Sequence, residues 1–395
     1  MGRSLPLWPF LQEVDIRAGK LAENLPLLSV SQTRGVVRFS EIFDKEPRAE
    51  NLSNYKLVEP EDLVINRMSA DKGALGIASE RGIASPDYMV LRSKGEVSPK
   101  YIAYLLKSDF GLSEIKKILR GIGTGDTNTV RTPRISRHEL LHIKWPNIPV
   151  LEDQKRIADE LDRELAEIDE FIADQQRLLE LATEKFNAEL RQLTYPANTP
   201  TVPLKRFAQI TLGKMITPSD KGGMELAPYI RAANIQPGGV FTYQSDQKTM
   251  WFSSDELAYL DLKKDDVLVV EGGAGFGRSA VLTEDLPGWS FQNSINRVRV
   301  NKELADQNFI NFCLQAQLIF GELNYLTNQS TIPHLTAEKL SFINVPDINL
   351  VSQLKISKIL LKKKGGLTQI QEDINKSVHY VREFRKSLID FGSNK

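Results

Sequence analysis

Between Leu161 and Leu193 a heptad can be written without a break, with mostly apolar residues on two seams. One seam carries Leu161, Ile168, Gln175, Ala182 and Glu189; the other carries Leu165, Ile172, Leu179, Phe186 and Leu193. A second stretch repeats the pattern with Ile356, Lys363, Ile370, Ser377, Phe384 and Phe391 beside Leu360, Leu367, Ile374, Val381 and Leu388. Such spacing predicts two long helices, each with an apolar stripe that needs a partner. A helix of about 40 residues is about 60 Å long at 1.5 Å per residue. Pairing with each other, antiparallel, satisfies both stripes; two amphipathic core helices of larger domains fit the same pattern. Pro196, Pro200 and Pro203 end the first helix. Gly365-Gly366 lies inside the second, where each glycine costs roughly 1 kcal/mol, so a kink or a fresh start is expected there.

Outside these stretches the periodicity shortens. Asp62–Asn66 and Asp266–Glu271 read as strands, whereas Tyr101–Leu106 and Phe309–Phe320 read as helices. The chain also repeats itself. Pro133, Leu140, Ile143, Pro146 and Ile148 recur as Pro333, Leu340, Ile343, Pro346 and Ile348, at a constant offset of 200. Further matches follow in the same order: Pro6-Leu7 with Pro203-Leu204, Tyr55 to Asp62 with Tyr259 to Asp266, and Tyr101-Ile102 with Phe309-Ile310. So long a period makes two similar modules rather than a solenoid. The expected architecture is α+β: a first module over 1–150, a helix over 151–195, a second module over 196–350 and a second helix over 351–395.

A length of 395 residues is ample for two cores. The single cysteine, Cys313, excludes an internal disulfide and fits a reducing cytosol. There is no secretory signal pattern and no apolar run long enough to span a membrane. Formal net charge is zero, which removes the simplest argument for a nucleic-acid partner. Its distribution restores interest: residues 1–150 carry +4, 151–195 carry −7, 196–350 carry −3 and 351–395 carry +6. The two helical segments are opposite in sign, so flanking ion pairs favour their association with each other. Each exposed pair adds little stability, typically below 1 kcal/mol.

Three motifs suggest chemistry. His138-Glu139-Leu-Leu-His142 has the spacing of a zinc-hydrolase helix, with two imidazoles one turn apart and a carboxylate as base. Pro146 cuts that helix short, and the second copy replaces the histidines with Glu338 and Phe342 while keeping the leucine. Packing is therefore the shared property. Glu271-Gly-Gly273-Ala-Gly275-Phe-Gly277 resembles a cofactor-binding glycine turn, but the strand-like Ser279–Thr283 that follows favours a hairpin. Gly121 to Arg134 is a glycine-rich loop ending in Arg131 and Arg134; it lacks the Gly-Lys-Ser/Thr of a P-loop and suits contact with an anionic partner.

The layout and local wording resemble the specificity subunit of type I restriction-modification systems. Leu140-x-x-Ile143-x-x-Pro146 running into Leu151-Glu-Asp-Gln154-Lys-Arg-Ile157 is similar to the family's approach to its first helix, and Tyr229-Ile230-Arg231-Ala-Ala-Asn234-Ile235 to its early strand motif. The second approach, Leu350-Val-Ser-Gln353-Leu-Lys-Ile356, lacks the second proline and the acidic residue. The resemblance implies two target-recognition modules separated by two long helices, each module reading half of a bipartite, asymmetric double-stranded DNA site, with the helices setting the gap. It implies no catalytic centre, cofactor or metal in this chain. It implies two methyltransferase subunits that carry S-adenosylmethionine and methylate adenine. It also implies that two motor-nuclease subunits using ATP and Mg can join, and that the assembly works in the cytoplasm.

Base edges are met by arginine, asparagine, glutamine and lysine. Candidates are Arg34, Arg38, Arg67, Arg131 and Arg134 in the first module, and Lys214, Arg231, Asn234, Arg278, Gln292, Asn293 and Arg297 in the second. Two rival readings stand beside this one: a zinc-dependent hydrolase centred on His138, Glu139 and His142, and a scaffold that binds only proteins through its coiled coil.

Overall fold

The computed structural model describes residues 4–44, 51–119, 133–244, 247–325 and 334–394. The helices are α1 (Pro99–Lys107), α2 (Asp109–Ile118), α3 (Arg137–His142), α4 (Leu151–Thr194), α5 (Ser254–Tyr259), α6 (Gln307–Ile319), α7 (Glu322–Tyr325), α8 (Ala337–Ser341) and α9 (Leu350–Asn394). The chain forms two compact units, one of residues 1–175 with 375–395 and one of residues 176–374. Each long helix thus contributes half its length to each unit.

In the first unit a four-stranded antiparallel sheet has the order Leu11–Glu13, Tyr88–Ser93, Leu63–Asn66, Leu75–Ile77. The second unit contains the same order, Ala208–Leu212, Ile295–Val300, Val267–Val270, Ser279–Val281, again antiparallel throughout. The glycine-rich run after Val270 is the hairpin turn that the pattern predicts, because Val267 to Val269 pair with Val281 to Ser279. Each unit adds a further sheet. Gly35–Arg38, Leu27–Ser31, Gly82–Ala84 and Lys56–Val58 form one in the first unit; Lys248–Phe252, Glu225–Ile230 and Ser290–Phe291 form one in the second.

The 200-residue repeat is a structural element as well. Ser136 and Thr336 accept from the backbone N–H groups of Glu139 and Lys339, capping α3 and α8. Leu140 and Leu340 that follow are fully buried. Leu7 and Leu204 donate backbone N–H bonds to Leu141 and Ile343 respectively.

The two halves of the helical pair are built differently. In the first unit Leu161, Leu165 and Ile168 join the module's core. Arg385 Nη1 there reaches Asp169 Oδ1 at 2.6 Å, and a Cβ on Gly392 would lie 2.9 Å from the Leu161 side chain. In the second unit Lys363 Nζ meets Glu189 Oε2 at 2.8 Å, and Leu360 and Leu190 are buried against Phe312 and Ala316 of α6. Facing residues rise in number on one helix as they fall on the other, so the pairing is antiparallel. The expected break at Gly365-Gly366 does not occur: α9 runs unbroken from Leu350 to Asn394. Both glycines are exposed with open space where a Cβ would sit, and buried anchors on either side, Leu360 and Ile374, hold the helix through them. The seam is also uneven. Ile172, Leu179, Phe186, Leu193, Leu367, Val381 and Leu388 are half-buried, whereas Ile370 and Phe384 are exposed.

Candidate nucleic-acid interface

The two modules repeat the same buried polar contacts, an aspartate–arginine pair at the sheet and a glutamine at the start of the long helix. Glu61 and Asp265 occupy the left-handed region, with φ 70° and 74°, and so turn the chain into the following strand. The next residue in each copy is a buried aspartate. Asp62 accepts from Arg92 Nε and Nη2, both at 2.7 Å, and from the Glu59 N–H at 2.8 Å. Asp266 accepts from Arg299 Nε and Nη2, both at 2.7 Å, and from the Lys263 N–H at 2.8 Å. These bidentate bonds hold both guanidiniums above their ordinary pKa, the bond to Asp62 or Asp266 being the main cause. Removing one partner strands the other buried charge, a loss of about 3–5 kcal/mol when burial is complete and less here, where each arginine keeps some contact with solvent.

A glutamine completes each joint. Gln154 Oε1 accepts from the Ser98 N–H at 2.9 Å and its Nε2 donates to Pro149 O at 2.8 Å. Gln353 Oε1 accepts from the Asp306 N–H at 3.0 Å and its Nε2 donates to Ile348 O at 2.8 Å. Ser98 and Asp306 are the N-caps of α1 and α6, so one amide ties that helix of the module to the start of its long helix. Both glutamines are at most 1 % exposed. An unmade bond at such a site costs about 1–3 kcal/mol. Sequence reading passed over the joint, although Asp62/Asp266 and Gln154/Gln353 stand at matched places in the two copies. A repeat pattern marks a residue as shared without saying what it holds.

The candidate DNA-contacting residues are placed as follows. In the first module Arg38 binds Glu80 through Nε and Nη2 at 2.7 and 2.6 Å, and Arg34 pairs with Glu41. Arg67 Nε donates to Ile135 O at 2.9 Å and Arg134 Nη1 to Asp87 Oδ1 at 2.8 Å. Arg131, all of the glycine-rich loop before it, and the polar stretch Thr327–Thr331 lie outside the described residues.

In the second module four candidates come together at adjoining strand ends. The Gln292 N–H bonds Ile230 O, next to Arg231, and the Asn293 N–H bonds Lys214 O, both at 2.9 Å. Lys214, Arg231, Gln292 and Asn293 thus share one edge. Lys214 is largely covered and ion-paired with Glu256; Gln292 and Asn293 are half-exposed. Arg278 is half-buried, with no ion pair among the described residues. Asn234 and Arg297 sit inside the module. Asn234 donates to Thr242 O at 2.8 Å and accepts from the Arg231 N–H at 2.9 Å. Arg297, 2 % exposed, donates from Nη1 to Asp261 Oδ1 at 2.9 Å and to Tyr259 O at 3.2 Å. Burial and the neighbouring Arg299 lower its pKa; its two Nη atoms bond acceptors of the fold, Nη2 reaching Thr211 Oγ1 at 3.4 Å, while its buried Nε has no hydrogen-bond partner among the described residues.

In the histidine motif Leu140 and Leu141 are buried, while His138 and His142 are exposed. The rings of His138 and His142 stack with centroids 4.0 Å apart, and His142 Nδ1 contacts the His138 carbonyl at 2.7 Å. Glu139 accepts from Ser136 Oγ at 2.8 Å, at the helix N-cap, rather than standing ready as a base. Among the described residues no group of three or more His, Cys, Asp or Glu is placed to hold a metal ion. Cys313 is buried, and burial raises its thiol pKa, so it is a packing residue. No helix among the described residues is long and apolar enough to cross a membrane.

Comparison with known proteins agrees with this picture. Residues 197–380 match the type I restriction modification DNA specificity domain. The type I restriction enzyme StySPI specificity subunit of Salmonella potsdam is 22 % identical over 360 residues, covering 84 % of this chain and 74 % of that protein. A solved chain from a study of complex assembly and conformational transition of the type I R-M system superposes with a TM-score of 0.74 at 13 % identity, covering 99 % of this chain and 97 % of that one. The HsdS subunit from Thermoanaerobacter tengcongensis gives a TM-score of 0.54 at 14 % identity, covering 99 % and 94 %.

Proposed function

We propose, on the premise that this chain belongs to the type I restriction-modification specificity subunits, that it selects the DNA on which its partner subunits act. It is a non-catalytic subunit. Each module reads one half of a bipartite, asymmetric site, and the two long helices set the number of bases between the halves. The observation that carries this reading is the duplication: two modules with the same strand order, the same Asp–Arg pair and the same glutamine contact to a long helix. Two equivalent readers suit a target in two parts. A helix of about 44 residues is about 66 Å long, close to two turns of duplex at about 34 Å each.

The partners are double-stranded DNA, two methyltransferase subunits carrying S-adenosylmethionine, and two motor-nuclease subunits using ATP and Mg, all in the cytoplasm. In the second module the edge formed by Arg231, Gln292 and Asn293, with Arg278, supplies the groups that read bases. That module carries −3 overall, so the methyltransferase subunits supply much of the grip on phosphates. The test exchanges residues 196–350 for the corresponding module of a related chain and maps methylated adenines with the methyltransferase present. One half of the methylated sequence changes and the other stays. A simultaneous change of both halves refutes the two-reader scheme.

A further inference from the structure

We infer that Gln154 and Gln353 set how strictly the complex enforces the gap between the two half-sites. This rests on the reading of the chain as a two-part DNA reader. Each glutamine is the first buried polar side chain of its long helix, and each spans the same two points: the N–H of the residue capping a module helix, α1 in the first copy and α6 in the second, and a carbonyl just ahead of the long helix. A primary amide is suited to this because it donates and accepts on one rigid planar group. Its two bonds fix both the direction and the rotation of the module on the helix, which hydrophobic packing alone does not, since packing is non-directional.

The surroundings sharpen the geometry. Asp306, whose N–H Gln353 receives, also caps α6 by accepting from the Phe309 N–H at 2.9 Å and accepts from Ser357 Oγ one turn further along α9. In the first module Ser98 caps α1 by accepting from the Tyr101 N–H, and Lys100 bonds Asp162 on α4 at 2.7 Å. The module helix and the long helix are therefore pinned at two levels in both copies, about two turns apart in the first and about one in the second. Both glutamines are buried and spend their amides on Ser98 and Pro149 or on Asp306 and Ile348, so their effect is on placement and not on which bases are read. They are positioning residues.

The experiment uses the full chain assembled with its methyltransferase subunits and a plasmid library in which the gap between the two half-sites is varied base by base. The variants are Gln154→Leu and Gln353→Leu, with Gln154→Glu and Gln353→Glu as near-isosteric companions that keep the acceptor and lose the amide donor. The parent methylates one gap length. Each folded variant methylates sites one base longer or shorter at least tenfold more often relative to the parental gap, with both half-sites unchanged. A companion that folds and keeps the parental gap while only losing rate overturns the inference, as does any change in the bases read. Should the parent itself show no bipartite pattern, the two-reader scheme fails instead, which is a different result.

Discussion

Leu360 and Phe384 occupy seam positions of the same heptad pattern on α9, yet their surroundings differ. Leu360 is fully buried against Leu190, Phe312 and Ala316, with Phe186, Leu193 and Ile356 closing the cluster. Phe384 is 56 % exposed. Leu360→Ala removes three carbons, about 2.4 kcal/mol at about 0.8 kcal/mol per buried methylene. A residual cavity adds to this, since the cluster is anchored on three helices and collapses only partly, for a loss of about 2–5 kcal/mol. Phe384→Ala loses a partial contact and gains helix propensity, so the net change stays within about 0.5 kcal/mol. At about 2–4 °C per kcal/mol for a unit of this size, Leu360→Ala lowers the midpoint of thermal unfolding by roughly 4–20 °C. Phe384→Ala shifts it by no more than about 2 °C. Midpoints by circular dichroism are the right readout, because a chain of two units need not unfold in one step. Equal losses for the two variants would refute the reasoning, since they would mean that the seam is buried along its whole length.

Other outcomes follow from single sites. A Cβ on Gly213 would lie 2.3 Å from Gln292 O and 2.6 Å from Phe291 O, so Gly213→Ala pushes the Gln292–Asn293 turn away; overpacking of this kind costs about 1–3 kcal/mol. Mapping of methylated adenines should show loss of selectivity in the half read by the second module alone; an unchanged pattern removes that turn from the reading surface. Burial lifts the Glu271 carboxyl above its ordinary pKa, with His334 opposing. A raised carboxyl favours the neutral form in the fold, so stability is held below the unfolded value of about 4.3 and lost as pH rises through the folded one. Glu271→Gln therefore raises the unfolding midpoint at pH 7–8 and leaves it unchanged below about pH 4; a constant gain across that range contradicts the assignment. Zinc or a chelator leaves the midpoint unchanged, because among the described residues no third His, Cys, Asp or Glu joins His138 and His142 to hold a metal ion. Stoichiometric zinc in purified protein, lost with His138→Ala, would revive the hydrolase reading.

Much of this molecule was legible along the chain. Heptad spacing and the proline run predicted α4 and its end at Thr194, and the constant offset of 200 predicted two modules that share a fold. Periodicity and repetition are local or self-referential signals, and they survive without knowledge of neighbours. Other features depended on residues brought in from far along the chain. Gly365-Gly366 looked like a break, but burial at Leu360 and Ile374 carries the helix through. Arg38, Arg134 and Lys214 looked alike as free cations until Glu80, Asp87 and Glu256 came beside them. Arg297 and Asn234 became interior hydrogen-bonding posts, and Gln154 and Gln353, plain polar residues in sequence, became the contacts that seat each module. A side chain's type is written in the sequence. Its partner, its exposure and hence its job are set by which distant backbone and carboxylate groups the fold delivers to it.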